Sequence, residues 1–258
     1  MTRRTLLSGA VAAGLSTPKI FGSEAGQAAL AAGPPGALVE RTAGGTLMLG
    51  WNFNSGSHGW LPGFADYAVG QSHLDLAAEI RPLPVELGRP QGHRGYYLQG
   101  NNRSDDLFMY LRKQLDSRHG LEPSRNYIAH LNVLVASDSP SGCSGVGGAP
   151  GEGLYLKAGV FAAEPTTTVV DGHVRLTVDK GQQSVGGRDM QLLGTLANGR
   201  PCELPTVGFV MLDRVLYQQV PVRSSTEATL WAAVGTDSAF EGLTGYYIDA
   251  IGIALIPV

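Results

Sequence analysis

Tyr127-Ile128-Ala129-His130-Leu131-Asn132-Val133-Leu134-Val135 decides the fold. Tyr127, Ala129, Leu131, Val133 and Val135 fall on one uniformly apolar face. Ile128, His130, Asn132 and Leu134 fall on the other. Successive side chains alternate across a strand, so this pattern predicts a β-strand laid over a core. Further strand candidates recur with turn residues between them: 46–51, 76–83, 96–99, 107–115, 154–161, 173–178, 190–196, 207–211, 229–234 and 246–256. The stretch 107–115 reads two ways. Leu107, Met109 and Leu111 alternate as in a strand, but Leu107, Tyr110 and Leu111 also suit a helical turn. No long amphipathic helix is legible.

Composition points the same way. The 36 glycines in 258 residues are about twice the usual share of roughly 7%. Charged residues make up 16%, below the usual quarter or so. Such a chain suits many short strands joined by tight turns. We expect one all-β domain over residues 46–258, with 33–45 as a flexible lead-in.

Residues 1–32 read as an export signal. Arg3-Arg4 stands directly before the short apolar run Leu6 to Leu15, and a small-residue stretch follows. That layout is a twin-arginine signal, whose route moves folded proteins. The apolar run is too short to span a bilayer, which takes roughly 20 residues. Ser23-Glu24-Ala25 and Ala29-Leu30-Ala31 are both candidate cleavage points. The expected compartment is the periplasm or the exterior. Removing 1–32 takes away Arg3, Arg4, Lys19 and Glu24, so the formal net charge moves from −3 to −5. An acidic surface argues against nucleic acid and against anionic membranes, and no later stretch is apolar enough to insert. Cys143 and Cys202 are expected as a disulfide; two separate thiols are the alternative that spacing leaves open.

Three stretches resemble carbohydrate-binding modules of the galactose-binding-like jelly-roll family. They are Trp51-Asn52-Phe53-Asn54 through Gly59-Trp60, Leu121-Glu122-Pro123 through Tyr127, and Tyr246-Tyr247-Ile248-Asp249-Ala250-Ile251-Gly252-Ile253. The resemblance implies a jelly-roll β-sandwich of antiparallel sheets with long connecting loops. It also implies a glycan or polysaccharide as partner, and a structural calcium held by Asp249. Other blocks, at 100–106, 147–152, 179–182 and 235–238, look similar to blocks in a group of exported bacterial proteins with no assigned activity. The chain is longer than such modules, so extra loops or strands are expected.

Candidate ligand residues sit in those polar blocks. Asn101, Asn102, Asp105 and Asp106 offer oxygens suited to a hard cation such as calcium, or else form an Asx-rich turn. Asp179, Lys180 and Gln182 mix acceptor, cation and amide, as a sugar hydroxyl network requires, or form a hairpin turn. Asp237 and Glu241, with Glu152, could share a cation, act as a carboxylate pair, or lie in solvated loops. Trp60, beside glycine and proline, is the expected exposed ring for stacking on a sugar. Trp51 and Trp231 are expected in the core. The six histidines lack metal-ligand spacing, and no nucleophile elbow or phosphate loop is present. Three functions remain open: non-catalytic carbohydrate binding; polysaccharide hydrolysis or lysis by Asp105, Glu152, Asp179, Asp237 and Glu241; and a metal or cofactor protein, in keeping with folded export but with no ligand motif legible.

Overall fold

A computed structural model describes residues 36–103, 106–203 and 208–258. The expected export signal and Asp105 lie outside the described residues. In chain order the strands are β1 (Leu38–Arg41), β2 (Leu47–Asn52), β3 (Leu61–Ala65), β4 (Tyr67–Ala68), β5 (Ala77–Pro82), β6 (Arg94–Asn101), β7 (Leu107–Leu115), β8 (Asn126–Ser137) and β9 (Leu154–Phe161). They continue with β10 (Thr167–Val170), β11 (His173–Leu176), β12 (Gly181–Gln182), β13 (Val185–Gly186), β14 (Gln191–Thr195), β15 (Val210–Tyr217), β16 (Val222–Arg223), β17 (Leu230–Ser238) and β18 (Leu243–Pro257). The helical elements among the described residues are three short 3-10 turns, at Phe53–Ser55, Val85–Leu87 and Ser117–His119.

Two antiparallel sheets face each other as a jelly-roll β-sandwich. Sheet A holds eight strands around β18. Sheet B holds five in the order β14-β9-β17-β7-β3. The chain crosses directly between the sheets at β2–β3, β6–β7, β7–β8, β8–β9, β14–β15, β16–β17 and β17–β18. One apolar core joins the inner faces, with Leu131, Val133 and Ile253 from sheet A meeting Met109, Leu156 and Val234 from sheet B. Tyr127, Ala129, Leu131, Val133 and Val135 are all 0% exposed. Burying each large side chain contributes about 1.5–3 kcal/mol. The stretch 107–115 is a strand, because its second face is apolar too: Phe108 and Tyr110 enter a separate outer cluster.

β18 carries sheet A. One edge pairs first with β6 and then with β2, while the other pairs with β8. Between those halves the register slips at a β-bulge between Ile248 and Ala250. The inward residues are Tyr246 and Ile248 before the bulge, then Ile251, Ile253 and Leu255 after it. Asp249 is thus the inserted residue, and the bulge flips the parity of everything beyond it.

Three expectations need correction. Residues 38–41, read as flexible lead-in, form β1 and pair antiparallel with β2. Trp60 is 0% exposed and meets Trp51 edge-on, with ring centroids 5.5 Å apart. The 3-10 turn after β2 returns the chain over the core, so the neighbouring Gly59 marks a turn beneath which the ring is buried. Trp51 is in the core as expected, whereas Trp231 is only partly buried, on the outer face of sheet B under Arg112.

A long excursion runs between β9 and β14. Strands β10 and β11 pair with each other and with β4, and β12 pairs with β13. This excursion covers the outer face of sheet B, packing Val178 and Met190 against Phe108, Tyr110, Phe161 and Ala233.

Candidate functional site

Charged residues sit on the central strands of sheet B beneath that excursion. Asp237 points outward from β17 and is 0% exposed. Its Oδ2 accepts hydrogen bonds from Lys157 Nζ, Lys180 Nζ and the Gln183 backbone N–H, each at 2.8 Å. Lys157, on β9 and also 0% exposed, donates to the carbonyls of Lys180 at 2.9 Å and Val185 at 3.0 Å. Lys180 Nζ lies 3.0 Å from Asp66 Oδ2. Arg175 Nη1 bridges Asp66 Oδ1 and Asp106 Oδ2, at 3.0 Å each. Gln182 Nε2 reaches Asp106 Oδ2 at 3.4 Å.

Three carboxylates and three cations therefore balance in a largely buried cluster. Removing charges from water costs several kcal/mol per ion unless they are closely paired. Burial pulls the Asp237 carboxyl up, but Lys180 and Lys157 outweigh it and hold the group below its ordinary value. Burial likewise pulls Lys180 down, and Asp237 with Asp66 more than restores it. In Lys157 burial wins, and the ammonium is held below its ordinary value. Asp106 is raised to about 6, first by burial and then by Asp66, with Lys180 opposing. The cluster opens to solvent as a cleft of about 330 Å³ lined by Asp66, Asp106, Arg175, Asp179, Lys180 and Gln182.

Asp66, Asp106 and Asp237 bring oxygens within 4.8 Å of one another, a spacing that could hold a metal ion. Asp66 Oδ2, Asp106 Oδ1 and Asp237 Oδ1 are buried and accept no hydrogen bond. The Lys180 ammonium nevertheless lies among them, at 3.0 Å from Asp66 Oδ2, 4.0 Å from Asp106 Oδ1 and 2.8 Å from Asp237 Oδ2. Calcium takes six to eight oxygens at about 2.3–2.6 Å. With Lys180 in that position and the charges already balanced, these residues do not fit calcium.

A second concavity lies on the outer face of sheet A. Register aligns Glu79, Tyr97, Tyr247, Ala136 and Met211 in one row across β5, β6, β18, β8 and β15. Tyr97 and Tyr247 ring centroids are 4.8 Å apart, and Phe209 meets Tyr247 edge-on at 5.4 Å. The Arg81 guanidinium stacks 3.9 Å from the Tyr97 centroid. Tyr97 Oη donates to Gln99 Oε1 at 2.8 Å. Gly245 makes room for this tyrosine, since a Cβ there would stand 2.1 Å from the Tyr97 hydroxyl oxygen. The groove measures about 320 Å³ and is lined by Tyr97, Gln99, Asp138, Phe209, Phe240 and Thr244, among others. Its wall at Pro140 and Pro150 belongs to the loop that the Cys143–Cys202 disulfide ties to the chain before β15.

The expected ligand residues divide between these places and the loops. Asp106, Asp179, Lys180 and Gln182 come together at the cleft, and Asp237 lies beneath it. Asp179 turns both oxygens to backbone N–H groups, Oδ1 to Gly181 and Oδ2 to Arg188, as a hairpin turn does. Asn102 is buried and donates to the carbonyls of Ser238 and Phe240, pinning two loops together. Asn101 Nδ2 donates to Asp75 Oδ2. Glu152 accepts from the Gly142 N–H, and Glu241 is held by its own N–H on the Val146 carbonyl. Neither glutamate joins the carboxylate group. Asp249, expected as a calcium ligand, instead gives Oδ2 to Arg89 at 2.6 Å and Oδ1 to His93 at 2.9 Å. The bulge turns it away from the core toward the β5–β6 connection, where Arg89 and His93 stand.

Asp66, Lys157 and Arg175 escaped the sequence reading. Lys157 carried a signal, being a lone charge inside the apolar run Leu154–Phe161. Asp66 adopts a left-handed backbone at φ 62°, which short polar residues tolerate. Nothing local distinguishes Arg175.

No protein-family model matches the chain, and no curated protein matches it in sequence. Similar solved structures include the family 11 carbohydrate-binding module of a cellulosomal cellulase from Clostridium thermocellum. That likeness has a TM-score of 0.36 and 10% identity, covering 80% of this chain and 92% of the module. A carbohydrate-binding module described as from the β-sandwich superfamily gives 0.35 and 11%, over 80% of this chain and 72% of that one. The enzymatically active domain of the bacteriophage CBA120 tailspike protein 4 gives 0.35 and 9%, over 75% of this chain. This chain spans 19% of that tailspike's length. Likenesses this distant carry no argument about ligand or activity.

Proposed function

We propose that this is an exported carbohydrate-binding protein and that the groove on sheet A receives the sugar. One observation carries the reading: Tyr97, Phe209 and Phe240 line a single groove with Gln99, Asp138 and Thr244. A pyranose presents apolar C–H faces and a rim of hydroxyls, so it calls for rings beside amide, carboxylate and hydroxyl groups. Concave sites that join aromatic surface to a few polar groups are the usual form of small-ligand pockets. Polysaccharide binding by the purified protein tests the reading, with Tyr97→Ala and Phe209→Ala beside the parent. Retained binding in both variants, while the fold persists, removes the groove from consideration. Export is tested by replacing Arg3 and Arg4 with lysine and following the protein between cytoplasm and periplasm.

A second reading places hydrolysis in the cleft on sheet B. The convergence of Asp66 and Asp106 there favours it. Retaining glycosidases hold two carboxyl groups about 5–5.5 Å apart, one to protonate the leaving oxygen and one to attack. Asp106, at the mouth, is the group suited to hold the proton. Release of reducing ends from a polysaccharide panel, abolished by Asp106→Asn, would establish it. Calcium enters neither reading, because the Lys180 ammonium stands among Asp66, Asp106 and Asp237.

A further inference from the structure

The position of Lys180 carries more than the balance of a cluster. Each of its neighbouring carboxylates keeps one buried oxygen that accepts no hydrogen bond. Lys180 Nζ stands 3.0 Å from that oxygen of Asp66 and 4.0 Å from that of Asp106, while at Asp237 it meets the other oxygen, Oδ2, at 2.8 Å. A buried carboxylate oxygen with no partner is costly, and a cation beside it is the remedy. Lys157 cannot serve as that remedy alone: its ammonium already donates to Asp237 Oδ2 and to two carbonyls. Arg175 meets the outward oxygens of Asp66 and Asp106. Lys180 Nζ alone approaches all three carboxylates, and its one backbone acceptor, the Gly181 carbonyl, is 3.4 Å away.

We propose that Asp66, Asp106 and Asp237 form a hard-cation site filled by the chain's own Lys180 ammonium, and that removing this ammonium opens the site to a divalent ion. The charge count supports it. With Lys180 neutral, three carboxylates face Lys157 and Arg175 and leave one net negative charge for an incoming cation. Asp249 follows the same rule elsewhere, with the Arg89 guanidinium 2.6 Å from its Oδ2 where a metal was expected. The inference is independent of the sugar groove on the opposite face.

The test uses the full chain with calcium chloride, a chelator and terbium as probes. The parent should melt at the same temperature, within about a degree, with chelator or with millimolar calcium. Lys180→Met should melt several degrees lower, recover at least half of that loss in calcium, and bind one terbium per chain with sensitised emission. A parent stabilised by calcium, or destabilised by chelator, would overturn the proposal. So would a folded Lys180→Met that binds no terbium. Should that variant fail to fold in plain buffer, refolding in millimolar calcium decides: recovery supports the site, and no recovery overturns it.

Discussion

Tyr97 and Tyr247 stand on the outer face of sheet A much as Lys157 and Asp237 stand on the outer face of sheet B. The tyrosine row keeps an open groove beside it, while the ion pair is roofed by residues of the β9–β14 excursion. The difference follows from what each kind of side chain needs. An aromatic ring can be covered at little cost: Tyr97 and Tyr247 are only 9% and 7% exposed, with the Tyr97 hydroxyl donating to Gln99. A charge pair on central strands cannot be half-covered without losing either water or partners. It therefore draws in Asp66, Arg175 and Lys180 until the charges balance. An open, ring-lined face suits a ligand that comes and goes; a roofed, ionic face suits structure, with Asp106 at its mouth as the reachable part.

The largest expected effect tests that roof. Asp237→Ala leaves Lys157 buried without its carboxylate, and breaking one side of a buried pair costs about 3–5 kcal/mol. For a chain of this size that is a fall of about 10 °C in calorimetric melting temperature. A fall under about 3 °C would show that the cluster is not closed and would erase the contrast between the faces. Next comes the wall of the groove. The Cys143–Cys202 bridge closes a loop with a sequence separation of 59. Cys143→Ser should lower stability in urea by about 4 kcal/mol. It should also weaken sugar binding, whereas binding that survives unaltered would place the ligand away from this wall.

A smaller effect concerns Asp106. Its carboxyl is raised to about 6 from the ordinary 3.8, so between those values the folded chain holds a proton that the unfolded chain has lost. Stability from this group is therefore full below about pH 4 and is lost as pH rises through 6, by at most about 3 kcal/mol. Measured by urea unfolding, the stability of the parent relative to Asp106→Asn should fall from pH 4 to pH 7. A difference that rises with pH would reverse the sign and mean that Arg175 dominates burial. The smallest effect on stability belongs to the open face. Phe209→Ala should cost only about 1 kcal/mol in stability yet weaken polysaccharide binding about tenfold, as followed by calorimetry.

Much of the sandwich was legible because inward faces carry period-two patterns. Residues 107–115 and 154–161 are strands over the span that was read, and 127–135 is buried on the expected face. The strands that went unread lack that pattern. Leu38–Arg41 follows a glycine–proline stretch and holds only two apolar residues, and Leu61–Ala65 contains Pro62 and Gly63. Those are edge positions, where pairing with a neighbour supplies what local propensity withholds. In the site, Asp106, Lys180, Gln182 and Asp237 were named from their polar blocks, and the fold brings them together. Their partners were hidden for different reasons. Lys157 stood out as a lone charge in an apolar run but without any sign of its partner, and Arg175 reaches the cluster only through the return of β11. Trp60 misled because glycine beside a ring signals a turn, and a turn may close over the core as readily as face water. The row that Tyr97 forms with Tyr247 and Ala136 depends on register that no single strand encodes.

β18 has a consequence for how such a chain is made. It pairs with β2, β6 and β8, which lie far earlier in the sequence. During synthesis on the ribosome those strands wait, with apolar faces uncovered, until residues 243–257 emerge. Pairings of such long sequence separation close slowly, and the waiting segments are exposed to aggregation. Folding of sheet A is thus a late event in translation. Stalled nascent chains ending before Leu243 should be cut by protease within 47–137, and those carrying Val258 clear of the exit tunnel should resist. Early resistance without β18 would mean that sheet B and its excursion can shelter the core alone.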